Sequence, residues 1–275
     1  MKTLLVIGYG NMAAAILKDN DFIQKHYKII ILGRNYSKAQ AFISANAIIG
    51  AEALALQSHN KINCQDTDIL LCIKPKGLES FIFEGKARCV YSILAGVGVA
   101  DIAKHINAAH IIRAMPNIAA RYKCSATAFY YQHSSTDMLQ REIVPFIESF
   151  GIALKVDNET LIESSIATSG SAIAFLALVA ESLIDAGVLE GFSHTQSEQL
   201  VKQCFLGFAK TLEPTSPSEL KYAISSPGGT TIRGLNALEQ SGVRGAFIQA
   251  AHIAAQYAKD NLNASFHSSD TPPKK

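Results

Sequence analysis

Three small residues near the start of the chain have the types and spacing to hold a phosphate. Gly8, Gly10 and Ala13 fit G-x-G-x-x-G/A directly after the apolar run 4–7 (L-L-V-I), the order that a dinucleotide-binding turn requires. The first glycine permits the tight turn, the second lets backbone approach a pyrophosphate, and the small third residue lets the next helix pack on its strand. That helix then presents free N–H groups to the anion. About 20 residues further on, where an acid would bind a ribose 2′-hydroxyl, stands Arg34 instead. A guanidinium there suits a 2′-phosphate, which favours NADPH over NADH. Far along the chain, S-S-P-G-G-T-T at 225–231 sets two successive glycines among hydroxyls, a nest fit for a carboxylate. The same residues also suit a plain helix connector in which Thr230 or Thr231 caps the next helix.

Other chemistries find no support. The eight histidines show no metal-ligand spacing, so no metal site is expected, and neither a G-x-S-x-G elbow nor a paired-carboxylate signature stands out. A hydride-transfer site without a strong general acid fits a substrate that needs little proton help, such as an already protonated imine. The near-balanced charge of +2 does not advertise a nucleic acid or an acidic membrane. Five cysteines without a C-x-x-C pair read as core thiols in a reducing compartment. With no signal-like start and no apolar run of about 18 residues, a soluble cytoplasmic protein is expected.

The elements that must position these residues follow from the apolar pattern. Runs at 27–32, 68–73, 91–95 and 111–114 read as buried strands of a parallel sheet. They end at Gly33-Arg34-Asn35, Lys74-Pro75, Gly96 and Met115-Pro116-Asn117; strand ends of this kind line the ligand crevice of open α/β sheets. Ser37 is expected to cap a helix over 38–44. A helix over about 136–150 separates the last strands, 126–131 and 152–156. Beyond Asp157 helical spacing takes over. Thr195 and Glu198 suggest a capping box, and Ser216-Pro217-Ser218-Glu219 gives cap, N1 proline and N3 acid in order. The resulting reading is an α/β dinucleotide-binding (Rossmann-type) domain at 1–156, an all-α dimerisation and substrate domain at 157–262, and a Ser/Pro/Lys-rich tail without structure at 263–275. Ala-rich apolar faces over 162–189 and 243–258 call for cover by another subunit.

Taken together, I-G-Y-G-N-M-A-A-A-I at the start, Lys74-Pro75, R-A-M-P-N at 113–117 and S-P-G-G-T-T at 226–231 resemble pyrroline-5-carboxylate reductase, in that family's order and over nearly the whole chain to about Asn261. The resemblance implies reduction of 1-pyrroline-5-carboxylate to L-proline by NAD(P)H, the last step of proline biosynthesis, in a homodimer or higher homo-oligomer. It implies that Gly8, Gly10, Asn11 and Met12 hold the pyrophosphate, that Arg34 and Asn35 lie at the adenosine 2′-position, and that Asn60 lies near the ribose. Lys74, Pro75, Ala95, Gly96, Met115, Pro116 and Asn117 would line the nicotinamide side. Ser226, Gly228, Gly229 and Thr230 would hold the substrate carboxylate, and Thr231, the catalytic residue, the ring nitrogen. Two stretches depart from the family pattern. Where S-G-S-G-P-A-Y is usual, the chain has S-G-S-A-I-A-F at 169–175, and R-Y-K-C-S at 121–125 replaces an expected flexible glycine stretch. These changes leave open a related imine or 2-oxoacid reductase whose pocket has drifted through Ala172 and Ile173, and a catalytically silent NADP(H)-binding regulator.

Overall fold

In the computed structural model, which describes residues 1–56, 60–132 and 136–267, the first strand pairs on both sides. β1 (Lys2–Ile7) is followed by α1 (Asn11–Leu17), α2 (Asp21–His26), β2 (Tyr27–Leu32), α3 (Tyr36–Asn46) and β3 (Ala51–Ala53); then come β4 (Lys61–Asn63), β5 (Asp68–Leu71), β6 (Ile82–Glu84), β7 (Ala87–Ser92), α4 (Val99–His105), β8 (Ala108–Met115) and β9 (Ser125–Tyr131). The main sheet runs β10-β9-β8-β7-β5-β1-β2-β3, with β10 at Gly151–Lys155, while β4 and β6 form a separate pair. All its pairings are parallel except β8 with β9. The order reverses at β1, which lies between β2 and β5, and ligands of such sheets bind beyond the carboxyl ends at that switch point.

Apolar side chains cover both faces. Leu4, Val6, Ile29, Ile31 and Leu70 pack with α1 and with Phe146 and Phe150 on one side, and Leu5, Ile7, Ile69, Leu71 and Val90 pack with Leu94, Ile102 and Ile106 on the other. That two-sided burial is why the strands read as unbroken apolar runs.

Helix starts differ in detail from expectation. Asn35, not Ser37, caps α3, its Oδ1 accepting from the Lys38 amide at 2.9 Å. Between β9 and β10 the chain is helical in three pieces, α5 (Thr136–Met138), a wide π turn over Leu139–Ile143 and α6 (Val144–Glu148). Pro145, just inside α6, has no N–H to continue a regular ladder, and the turn before it widens.

From Leu161 onward the described chain is helical: α7 (Leu161–Ser164), α8 (Ala172–Leu189), α9 (His194–Thr211), α10 (Pro217–Ala223), α11 (Thr230–Gln240) and α12 (Val243–His267). The capping box of α9 is formed by Ser193 and Gln196, two residues before the expected Thr195 and Glu198; glutamine serves at N3 as glutamate does. Ser216 and Glu219 box α10 as expected. α8 and α9 approach closely, since a Cβ on Gly187 would stand 2.1 Å from Ser197 Oγ. α12 continues to His267, five residues into the segment expected to lack structure; the rest of that segment lies outside the described residues.

Among the described residues, those of 1–170 together with 253–267 form one compact unit and Ser171–His252 a second. The segment Leu161–Leu189 has the length and hydropathy of a membrane-crossing helix, contrary to the expectation that no apolar run is long enough; a few polar residues break the run without lowering its mean hydropathy below that range.

Candidate functional site

The parallel order carries the carboxyl ends of β1, β2 and β5 to one edge, where a cavity of about 500 Å³ opens. Gly8, Gly10, Arg34 and Lys74 line it together, as their strand-end positions predict, with Tyr9, Gly33, Lys76, Ser80 and Phe81 completing much of the wall. Gly8 adopts φ +109°, and a Cβ there would stand 2.7 Å from the Cys72 carbonyl oxygen, so a side chain is excluded on both counts. Gly10 heads α1 without a side-chain cap, and α1 has no acid in its first turn. The first amides of α1 are left as donors for an anion, with no carboxylate to repel it. The lining residues include Arg34, Lys74 and Lys76 and no carboxylate. Burial pushes the Cys72 thiol up from its ordinary range, which keeps it neutral in the cavity wall.

These features fit the phosphates of a dinucleotide, with Arg34 and the lysines available to the most highly charged end. Lys76 carried no sequence signal beyond following Lys74-Pro75. The Tyr9 ring lies against Gly33, where a Cβ would stand 2.2 Å from it, so the bare backbone of Gly33 makes room for the ring.

Several expected contact residues have structural duties. Asn35 spends its Oδ1 on the α3 cap. Asn60, in left-handed backbone with φ 55°, donates from Nδ2 to the Ser80 carbonyl at 3.1 Å, which ties it to the cavity rim. Asn11 is exposed and Met12 half-buried at the start of α1. Pro75 opens a 3-10 turn, Pro75–Ser80. Met115 is buried against Ala128 and Ile162. Asn117, just past Pro116, is buried; its Oδ1 accepts from the Ala119 amide at 3.1 Å and its Nδ2 donates to Ser169 Oγ at 3.0 Å.

Beside these strand ends lies a charged cluster that motif reading missed. Arg113, on β8, forms a two-pronged pair with Glu163 of α7 and reaches Glu159 at 3.3 Å. Glu163 Oε1 accepts from the Gly96 amide at 3.3 Å, and Glu159 Oε1 accepts from the Val99 amide at 2.7 Å. A lone arginine inside the R-A-M-P-N run offers no sequence hint of partners some fifty residues on, beyond the rule that a buried charge must be paired.

In the second unit, Ser226 to Gly229 form a tight turn closed by Gly229 N–H donating to the Ser226 carbonyl at 3.0 Å. Pro227 and then Gly228, at φ +73°, follow the type II pattern. Gly229 is the N-cap of α11 and offers no side-chain cap. Neither Thr230 nor Thr231 therefore caps the helix, and the exposed turn leaves helix-start amides and two hydroxyls for a ligand. Tyr222, Ser225, Pro227 and Asn236 border a cavity of about 500 Å³ here. Among the described residues, no group of three or more His, Cys, Asp and Glu is arranged to hold a metal ion.

Comparison with known proteins places these features in context. The family model described as pyrroline-5-carboxylate reductase dimerisation matches residues 159–261. A pyrroline-5-carboxylate reductase of Helicobacter pylori is 41% identical over 92% of this chain and 97% of its own length, and one of Methanosarcina acetivorans is 32% identical over 75% and 80%. Among solved structures, the 1-pyrroline-5-carboxylate reductase of Streptococcus pyogenes is 27% identical, covering 94% of this chain and 98% of its own, with a TM-score of 0.79. The Plasmodium falciparum pyrroline carboxylate reductase, whose structure holds NADP, shares the fold at 20% identity and a TM-score of 0.74, covering 95% and 98%.

Proposed function

The chain belongs to the pyrroline-5-carboxylate reductase family, and from that premise we propose that it reduces 1-pyrroline-5-carboxylate to L-proline with NAD(P)H, closing proline biosynthesis. The observation that carries the coenzyme half is the cavity at the β1 switch point, with Gly8 and Gly10 at its turn and three cations but no carboxylate along its wall. Those residues fit a dinucleotide with an extra phosphate, so NADPH is the preferred form and NADH the weaker one.

When bound, the coenzyme supplies a hydride to C5 of the protonated imine, leaving the amine of proline and oxidised coenzyme. The chain's own work is binding and orientation. Gly8, Gly10 and the first amides of α1, at Asn11 and Met12, hold the pyrophosphate. Arg34 and Asn35 face the adenosine 2′-position, with Asn60 near the ribose. Lys74, Pro75, Ala95, Gly96, Met115, Pro116 and Asn117 shape the nicotinamide side, mostly as wall and support. Ser226, the Gly228–Gly229 backbone and the Thr230 amide hold the substrate carboxylate, with the Gly229 N–H spent on closing the turn, and the Thr231 hydroxyl holds the ring nitrogen. That nitrogen loses positive charge during the reaction, so a neutral hydroxyl suffices there and orientation supplies most of the rate.

We assign the coenzyme to residues 1–156 and the substrate and dimer to 157–262, a division supported by a dimerisation match that starts at residue 159. The assembly is a homodimer or a multiple of it, in the cytoplasm, where the five free thiols stay reduced. Purified protein should oxidise NADPH when 1-pyrroline-5-carboxylate is added, followed by loss of reduced-coenzyme absorbance, and should do so less well with NADH. NADPH binding with no turnover on that imine would reject the assignment.

A further inference from the structure

Arg113 and Glu163 are fully buried, and a charged pair in such a place has a desolvation cost that its attraction seldom outweighs by much. Its further bonds converge on one loop. The segment 93–98 joins β7 to α4. Arg113 Nη2 donates to the Leu94 carbonyl at 3.4 Å. Glu163 takes the Gly96 amide, and Glu159, itself bonded to Arg113, takes the Val99 amide at the start of α4. Gly98, the N-cap of α4, has no side chain to do this.

The loop is thus held at three points by one cluster that comes from β8 and the chain around α7. Between the held Leu94 and Gly96 sits Ala95, which is exposed, followed by Gly96 in left-handed backbone at φ +72°. A buried ion pair whose bonds end on the backbone to either side of one exposed residue fixes that residue's height at the sheet edge.

We propose that Arg113, Glu163 and Glu159 are positioning residues that set the Ala95–Gly96 backbone against the nicotinamide end of the coenzyme. The inference rests on the coenzyme reading of the β1 cavity. It separates two ends of one ligand, because the pyrophosphate and the 2′-phosphate are held by Gly8, Gly10 and Arg34, which this cluster does not touch. A shift of about an ångström at the reacting end lowers turnover by up to about a hundredfold without new contacts being lost elsewhere.

The test compares Glu163→Gln, Glu163→Asp and Glu159→Gln with the unaltered protein. Affinity is measured for NADPH and for 2′-phospho-ADP-ribose, which lacks the nicotinamide, alongside kcat and KM for 1-pyrroline-5-carboxylate. For Glu163→Gln we expect NADPH affinity and kcat each to fall about tenfold or more, and 2′-phospho-ADP-ribose affinity to stay within about twofold. Glu163→Asp, which keeps the charge, should recover part of both losses. Glu159→Gln should move the same quantities in the same direction by less, and because Glu159 is 23% exposed that variant carries the test if Glu163→Gln does not fold. Equal loss of both ligands, or no change in either by a folded variant, would overturn the positioning role alone. An unaltered protein that binds neither ligand would overturn the coenzyme reading and this inference with it.

Discussion

Arg34 and Lys76 bring positive charge to a wall that holds no acid, and charge-assisted hydrogen bonds contribute about 1.5–3 kcal/mol each. Arg34→Ala should therefore raise the Kd for NADPH by about ten- to a hundredfold while shifting NADH by no more than about twofold; titration with both coenzymes reads this directly, and equal loss would remove Arg34 from the 2′-phosphate. The role proposed for Thr231 is at the ring nitrogen. Thr231→Ala should lower kcat by about a hundredfold with NADPH affinity unchanged. Gly8 was legible because its φ of +109° and the nearby Cys72 carbonyl exclude a side chain, and the place of Arg34 in the cavity wall because a strand end fixes it. Asn35 and Asn117 were less so, since an asparagine that caps a helix and one that binds a ligand look the same in sequence. Lys76 and Arg113 escaped for the opposite reason: their roles depend on neighbours that the fold alone supplies.

Strands β1, β2, β5 and β8 lie where their apolar runs suggest, because they are buried on both faces; β7 does not, since it spans Ala87–Ser92 and shares only Tyr91 and Ser92 with the run at 91–95, whose remaining residues form the loop before α4. Helix starts slipped by two residues at α3 and α9, where several Ser, Thr and Asn compete and tertiary fit selects one. The π turn after α5 had no counterpart in the periodicity. It carries Glu142 to Arg88 and to Lys2, the latter at 2.7 Å, on the opposite sheet edge from the cavity. Burial alone would raise the Glu142 carboxyl, but hydrogen bonds from Lys2 and Arg88 outweigh it and hold the group below its ordinary value of 4.5. Folding thus favours the charged form, and the stability it contributes is complete above pH 4.5 and lost as pH falls through the lower folded value. Thermal melting should find Glu142→Gln less stable than the unaltered protein near neutrality, the gap closing in acid; a gap that persisted at the lowest pH would assign the effect to packing instead.

No residue of α8 is buried within a single chain, and Leu176, Leu178, Leu183 and Val188 are each more than 40% exposed. A face this apolar requires cover, and the dimerisation match over 159–261 supports the proposal that a second copy supplies it. The mass in solution should be a multiple of 29.6 kDa, and Leu178→Glu with Leu183→Glu should shift it toward the single chain, because a desolvated, unpaired carboxylate is costly; light scattering on the two proteins decides the point. That the helical half needs a partner was readable from its Ala-rich stripes. Which stripe meets which is not a property of one chain, so neither sequence nor monomer geometry contains it.

The bareness of α8 also has a consequence in time. Assembly is second order in chain concentration, so each newly synthesised molecule passes through an interval in which the apolar side of an 18-residue helix lies open to chaperones and lipid. Scarce chains wait longest, and the durability of the folded protein is set by its abundance as well as by its contacts.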